Sequence, residues 1–470
     1  VAWAPSKLLG GKIDIANIAV GRLAVARQPL PPDEKPLDEA GAASSIPKLE
    51  LGRLSADEVA LAEPVLGAAA RLTLTASLRL QDFAAGFFAA VEAERIDGVA
   101  GRLRAEARYR PDSKSFGIEI DAEEPAGGLL SRLGKLEGLP AIKAQLRGNG
   151  TLDAWTGTAE VWSGEERVLH GTANIRPRGS DHALTLDVQA SSSRLVPKNY
   201  ASALADGITA HVELVFGPAK GIEIDRAEVA AAGLRLKIRG RIEPEFQKVA
   251  ITYEMNSADA RVGSLVAADT GWSRLTVSGA IEGAPDSPVV MAELDIRDLA
   301  FRGNKASSLL LKLRAEPQKS GRDGRFAITG AGSIEGAVPR DRRLEPILKP
   351  KIEWSVAATV DQSGLADISS LALSLGATQI HFAGRVSAQT VVGRLKLDRF
   401  DLASVAALAT PGLAGEVSFA ADIDATTDLD RLTLRIDGGA TSLKLGLPAL
   451  DGLLGGKLDL AGGVKRAADG

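Results

Sequence analysis

One strand pattern recurs six times along this chain. It is carried by residues 72–78, 142–148, 208–214, 275–279, 352–358 and 417–423. The first reads Leu72-Thr-Leu-Thr-Ala-Ser-Leu78, and the last Val417-Ser-Phe-Ala-Ala-Asp-Ile423. Apolar residues hold the odd steps, and mostly Thr, Ser, Lys, Arg or Glu hold the even ones. A period of two sends the two sets to opposite faces of a strand. The opening residues of successive copies lie 65 to 77 positions apart. A strand-rich unit repeated at that interval makes an array, not a set of unlike domains. Every unit then lays down one apolar face and one polar face, and function turns on what meets the apolar one.

Composition narrows the field. A chain of 470 residues exceeds one ordinary globular core. Lys plus Arg (56) nearly balances Asp plus Glu (60), so no basic stripe points to a nucleic-acid partner. The chain has no cysteine, which excludes disulfides, thiolate metal sites and a cysteine nucleophile. Five Trp, three Tyr and eleven Phe are too few for the aromatic girdles of an outer-membrane barrel. Apolar stretches such as Val405–Ala409 fall far short of the roughly 18 residues of a spanning helix, and no signal peptide is present. The chain opens at Val1 and stops at Gly470 soon after a strand-like Lys457–Ala461. The expectation is a fragment of a longer protein, so a missing anchor says nothing about the whole.

Residues 1–70 read as N-terminal strands, with short ones at Lys12–Ile15 and Arg22–Val25 and a Pro-rich charged loop over 28–47. Residues 71–470 read as a repetitive β-groove of six units starting near 72, 142, 208, 275, 352 and 417. Short helical or turn-rich pieces precede several recurring strands: Gly128–Leu136, Tyr200–Leu204, Arg261–Val266 and Leu402–Leu408, each ending near Gly or Pro. Further strands follow at Leu184–Val188, Leu234–Ile238, Leu309–Leu313, Leu371–Leu375 and Leu432–Ile436. The fold class expected is all-β: roughly 25 to 30 strands in a long curled sheet, more than an open twisted sheet holds without coiling or bending. Periodicity alone leaves two outcomes open. One is a solenoid with a filled interior. The other is a taco-like trough whose apolar face lines a groove, since apolar patches of that extent stay bare only where something binds.

No catalytic or metal motif emerges, and the reading is a non-enzyme without cofactors. His170, His182, His211 and His381 show no metal-ligand spacing, and His211 and His381 occupy polar steps of strands. The acid pairs Asp33-Glu34, Glu123-Glu124 and Glu165-Glu166 are expected at solvated turns. The strings at 8–15 and 453–460 place Ile13 or Leu458 after Gly-Gly-Lys, where a phosphate loop needs Ser or Thr. Arg79, Lys143, Lys237 and Lys312 are expected on the solvated face.

Several stretches resemble the TamB family of AsmA-like proteins. They include Glu124-Pro-Ala-Gly-Gly-Leu-Leu-Ser-Arg-Leu133, Gly138-Leu-Pro-Ala-Ile142 and Gly148-Asn-Gly-Thr-Leu-Asp-Ala-Trp155-Thr-Gly157. Gly21–Pro29 with Ile13-Asp-Ile15, Arg95-Ile-Asp-Gly98, and Gly279–Pro285 followed by Val289–Leu294 belong with them. The resemblance implies a long bent sheet with a hydrophobic groove, similar to the bridge-like lipid transfer proteins. It also implies a periplasmic location with an N-terminal inner-membrane anchor. The implied partners are phospholipid and a TamA-like Omp85 outer-membrane barrel, engaged through a C-terminal domain. The anchor and the C-terminal domain are both expected to lie outside this sequence.

The function expected on these grounds is movement of phospholipid between the two membranes, in support of outer-membrane biogenesis. The candidate lining is Leu72, Leu74, Leu78, Ile142, Leu146, Ile208, Val212, Leu275, Val277, Ile352, Trp354, Val356, Val417, Phe419 and Ile423. The alternative is a chaperone-like assembly factor for outer-membrane or secreted β-proteins, holding clients by strand addition.

Overall fold

A computed structural model describes residues 2–3, 12–27, 48–82, 86–134, 136, 138–151, 153–191, 207–217, 219–231, 233–259, 262–263, 269–318, 324–348, 351–361, 363–406, 408, 412–428, 430–447, 451–452 and 457–466. The Pro-rich segment 28–47, Asp33-Glu34, both Gly-Gly pairs and the helical piece expected at Tyr200–Leu204 lie outside these residues. The chain divides into two compact units, Val1–Ala232 and Gly233–Gly470.

The fold is all-β, built of open, curled sheet with a few short helical pieces. The first unit contains β1 (Ala2–Trp3), β2 (Lys12–Val25), β3 (Lys48–Leu61), β4 (Ala70–Asp82), β5 (Gly86–Arg95), β6 (Arg102–Arg110) and β7 (Ser115–Glu124). It continues with β8 (Ile142–Thr151), β9 (Ala154–Ser163), β10 (Glu166–Arg178), β11 (Asp181–Ala190), β12 (Ile208–Gly217) and β13 (Gly221–Ala231). Helices α1 (Glu63–Leu66) and α2 (Leu129–Leu133) interrupt it. Strand β2 runs unbroken where two short strands were expected, because it pairs along its length with β3, in parallel. From β3 onward each strand pairs antiparallel with the next.

The second unit contains β14 (Leu234–Ile242), β15 (Val249–Ser257), the short β16 (Thr270–Gly271), β17 (Arg274–Ala284), β18 (Ser287–Phe301), β19 (Asn304–Pro317) and β20 (Phe326–Glu335). Helix α3 (Glu345–Leu348) precedes β21 (Ile352–Val360), β22 (Ala366–Leu375), β23 (Thr378–Val386) and β24 (Thr390–Asp401). One tight 3-10 turn, Leu402–Val405, leads to β25 (Leu413–Thr426), β26 (Leu432–Leu445) and β27 (Lys457–Arg466). The long strands again pair antiparallel in chain order.

The six recurring segments fall in β4, β8, β12, β17, β21 and β25. Successive copies are therefore four long strands apart. In an antiparallel meander a step of four strands returns to the same end of the sheet. Within each unit, then, α1 and α2, or α3 and the 402–405 turn, gather at one rim, here the helical rim. The opposite rim carries tight turns such as residues 111–114, and the turn bearing Glu165 lies on the helical side.

Candidate functional site

Register turns the alternation into a surface. In the first unit one cross-strand row reads Ala76, Val91, Ala105, Ile120, Leu146, Ala159, Gly171, Val188, Ala210, Val229. The row one residue along, on the other face, reads Thr75, Glu92, Arg104, Asp121, Gln145, Glu160, His170, Gln189, Thr209. In the second unit an apolar row reads Leu236, Met255, Val277, Leu294, Leu311, Gly332, Trp354, Leu373, Ile380, Leu397, Phe419, Gly438, Leu460. A one-residue slip anywhere would send a strand's apolar set to the wrong face, so the pattern holds the register.

All the candidate lining residues lie on the apolar face. Leu72, Leu74, Leu78, Leu146, Ile208, Val212, Val277, Trp354, Val356, Val417, Phe419 and Ile423 are half-buried. Ile142, Leu275 and Ile352 are buried, at 7%, 7% and 8% exposure. Those three stand at the helical rim, where each strand begins. Leu275 packs in a cluster with Val262, Trp272 and Ile296, the first two contributed by the segment between β15 and β17. Elsewhere the elements in close contact are strand neighbours and the helical pieces themselves, including α1 with α2 and α3 with the 402–405 turn. Among the described residues no second layer spans the middle of either apolar face. Arg79, Lys143, Lys237 and Lys312 occupy the polar face, as their place in the alternation requires.

Large aromatics on the apolar face lie down instead of standing up. Trp155 lies against Gly148 and Gly157 of the flanking register, and its Nε1–H donates to the carbonyl of Phe116 at 3.0 Å. Trp354 covers Gly332 directly across the ladder, where a Cβ would sit 2.6 Å from the indole. Tyr253 does the same over Gly279, its partner across the ladder. Glycine is required because any side chain would lift the ring off the sheet. The recurrence was invisible along the chain, since each pair is joined only by cross-strand register.

The helical rim of the first unit holds a buried charge cluster that corrects the turn reading of Glu123-Glu124. Glu124 ends β7 and is 7% exposed. Arg95 donates to it at 2.9 Å and to Asp97 at 2.7 Å. The other Glu124 carboxylate oxygen accepts from the Leu130 amide at 2.7 Å, holding the start of α2. The Arg95 guanidinium, helped by the Arg71 amide, pulls the Asp97 carboxyl down to about 2. Glu165 does sit in an exposed turn. On the polar face, His211 is held by Asp187 at 2.7 Å and Glu213 at 3.3 Å, which raise its pKa above the ordinary histidine value, the Asp187 bond most.

No family model and no curated protein matches this chain. The site therefore rests on its geometry. Among the described residues no group of three or more His, Asp or Glu is placed to hold a metal ion, and no helix is long and apolar enough to cross a membrane.

Proposed function

We propose that the apolar face carries phospholipid tails and that the protein is a passive, bridge-like conduit between two membranes. One observation supports this above the rest: apolar rows run across many strands with no layer over their middle among the described residues, while the opposite face is charged. Such a surface needs an occupant. The resemblance to the TamB family suggests which one, and with it a periplasmic setting between inner and outer membranes and an Omp85-type barrel as partner.

The energetics favour a continuous face. A lipid with about 30 tail methylenes, at about 0.8 kcal/mol each, loses on the order of 24 kcal/mol if both tails enter water. A face that stays apolar from strand to strand removes most of that penalty at every step. Headgroups remain in solvent while tails move, so the surface need not select among lipids. Chemistry is not required of it.

A client-holding chaperone would use a free backbone edge. Strands β4 to β12 and β17 to β26 are each hydrogen-bonded on both sides, so they present side chains and not edges. This favours the lipid reading.

Native mass spectrometry with lipid extraction, on protein purified gently from membranes, tests it. Several phospholipids should accompany each chain and be reduced by Val356→Asp or Phe419→Arg with strand content unchanged. A lipid-free chain that binds no apolar dye would overturn the proposal.

A further inference from the structure

The helical rim of the first unit is more than the edge of a face. Between α1, α2 and the underlying strands lies a cavity of about 190 Å³, walled by Leu66, Leu72, Leu103, Leu129, Leu130 and Leu133. Arg95 and Glu124 also line it, but their charged groups are engaged with each other and with Asp97 and the Leu130 amide. Few polar atoms are left to hold water there, and a cavity without polar partners stays dry. For scale, an engineered apolar cavity of about 150 Å³ accepts benzene. The space suits the end of a single hydrocarbon chain and excludes a headgroup.

Beside it, sharing Glu94, Gly101, Arg102 and Glu124, is a polar cleft of about 500 Å³. Its charges come from one cross-strand row: Glu94, Arg102, Glu123 and Lys143, alternating in sign over four successive strands. Part of that row serves the sheet itself, since Arg102 pairs with Glu123 at 2.8 Å. Lys143 instead lies 5.4 Å from the Trp162 ring. Between cavity and cleft stands Gly101, where a Cβ would meet Arg95 and Glu124. A bulkier residue there would displace the wall that the two spaces share.

We infer that this rim is a binding site for a zwitterionic amphiphile, one tail end in the leucine cavity and the headgroup in the alternating-charge cleft. A site with both cations and carboxylates suits a head bearing phosphate and ammonium together better than a purely anionic one. The inference rests on the lipid reading of the apolar face and adds a holding point to it. Along the open face a tail finds only a floor; here it finds walls.

The test is photolabelling with vesicles of phosphatidylcholine carrying a diazirine near the end of one tail, with adducts mapped by peptide mass spectrometry. The expected result is labelling of the segments bearing α1 and α2. It should be lost in Ala93→Leu and in Ala122→Leu, which fill the cavity from its wall. It should be reduced in the double variant Arg102→Glu with Lys143→Glu. Persistent labelling of β21 and β25 in the same samples, with unchanged circular dichroism, shows that the variants remain folded. Labelling of the open face without the helical segments would overturn this site and leave the conduit standing. Helical labelling that survives both cavity-filling variants would also overturn it, as surface adsorption. No labelling anywhere would remove the site and the conduit together.

Discussion

The helical rim and the open middle of the apolar face are made by the same strands and the same alternation, yet they are physically different. Leu275 is buried, and Val277, two residues along on the same face, is half-buried. Ile352 and Val356 differ in the same way, as do Ile142 and Leu146. A sheet face needs a second layer to become a core. Short segments supply that layer at the rim, as Val262 and Trp272 do over Leu275. Over the middle nothing among the described residues does so. Packing is therefore densest at the rim, and the middle of the face is less covered.

The largest expected effect breaks the rim itself. Arg95→Ala leaves the buried Glu124 and the half-buried Asp97 without their cation and loosens the start of α2. Removing one partner of such a group costs about 3 kcal/mol or more, read as a lowered urea midpoint and lost amide protection at Leu130. Unchanged protection there would show that the cluster does not hold the rim.

The next variants sharpen the contrast. Ile352→Ala should cost about 3 kcal/mol as a buried truncation. Val356→Ala, on the same strand and face, should cost about 1 kcal/mol, because Val356 is only partly buried. Equal costs by denaturation would mean that the middle is as covered as the rim.

Titration gives smaller effects. Asp97 has a folded pKa of about 2, below its unfolded value near 3.8. Its contribution is fully present above the unfolded pKa and fades as pH falls from about 4 towards about 2. Asp97→Asn should flatten the acid limb of stability over that window. The smallest effect belongs to His211, whose pKa is raised. Its contribution is present below the unfolded value and lost as pH rises through the folded one. NMR titration of its ring should give a midpoint above 6.5 that drops in Asp187→Asn.

Strands, their alternation and the polar placement of Lys143 and Lys312 were legible because period two is a local signal. The unbroken strand Lys12–Val25 was not, because it depends on a parallel partner more than thirty residues away in the chain, a non-local pairing. Nor was Glu124: beside Glu123 it reads as a turn acid, and only the arrival of Arg95 from another strand gives it a buried role. Pattern alone put the candidate residues on the apolar face. Which of those residues a rim segment would cover, as at Leu275, depends on tertiary packing that periodicity does not encode.

The rings laid flat on glycine at Gly332 and Gly279 bear on how fast anything could travel over this surface. A chain gliding across a floor moves at a rate governed by the floor's roughness. Each additional 1.4 kcal/mol of corrugation, roughly, slows a hop about tenfold. An indole standing upright would be an obstacle of that order, whereas one pressed into a gap left by glycine becomes paving. Under the proposed conduit those glycines would act as a lubricant, and a valine in place of Gly332 should slow lipid transfer by lifting the Trp354 ring.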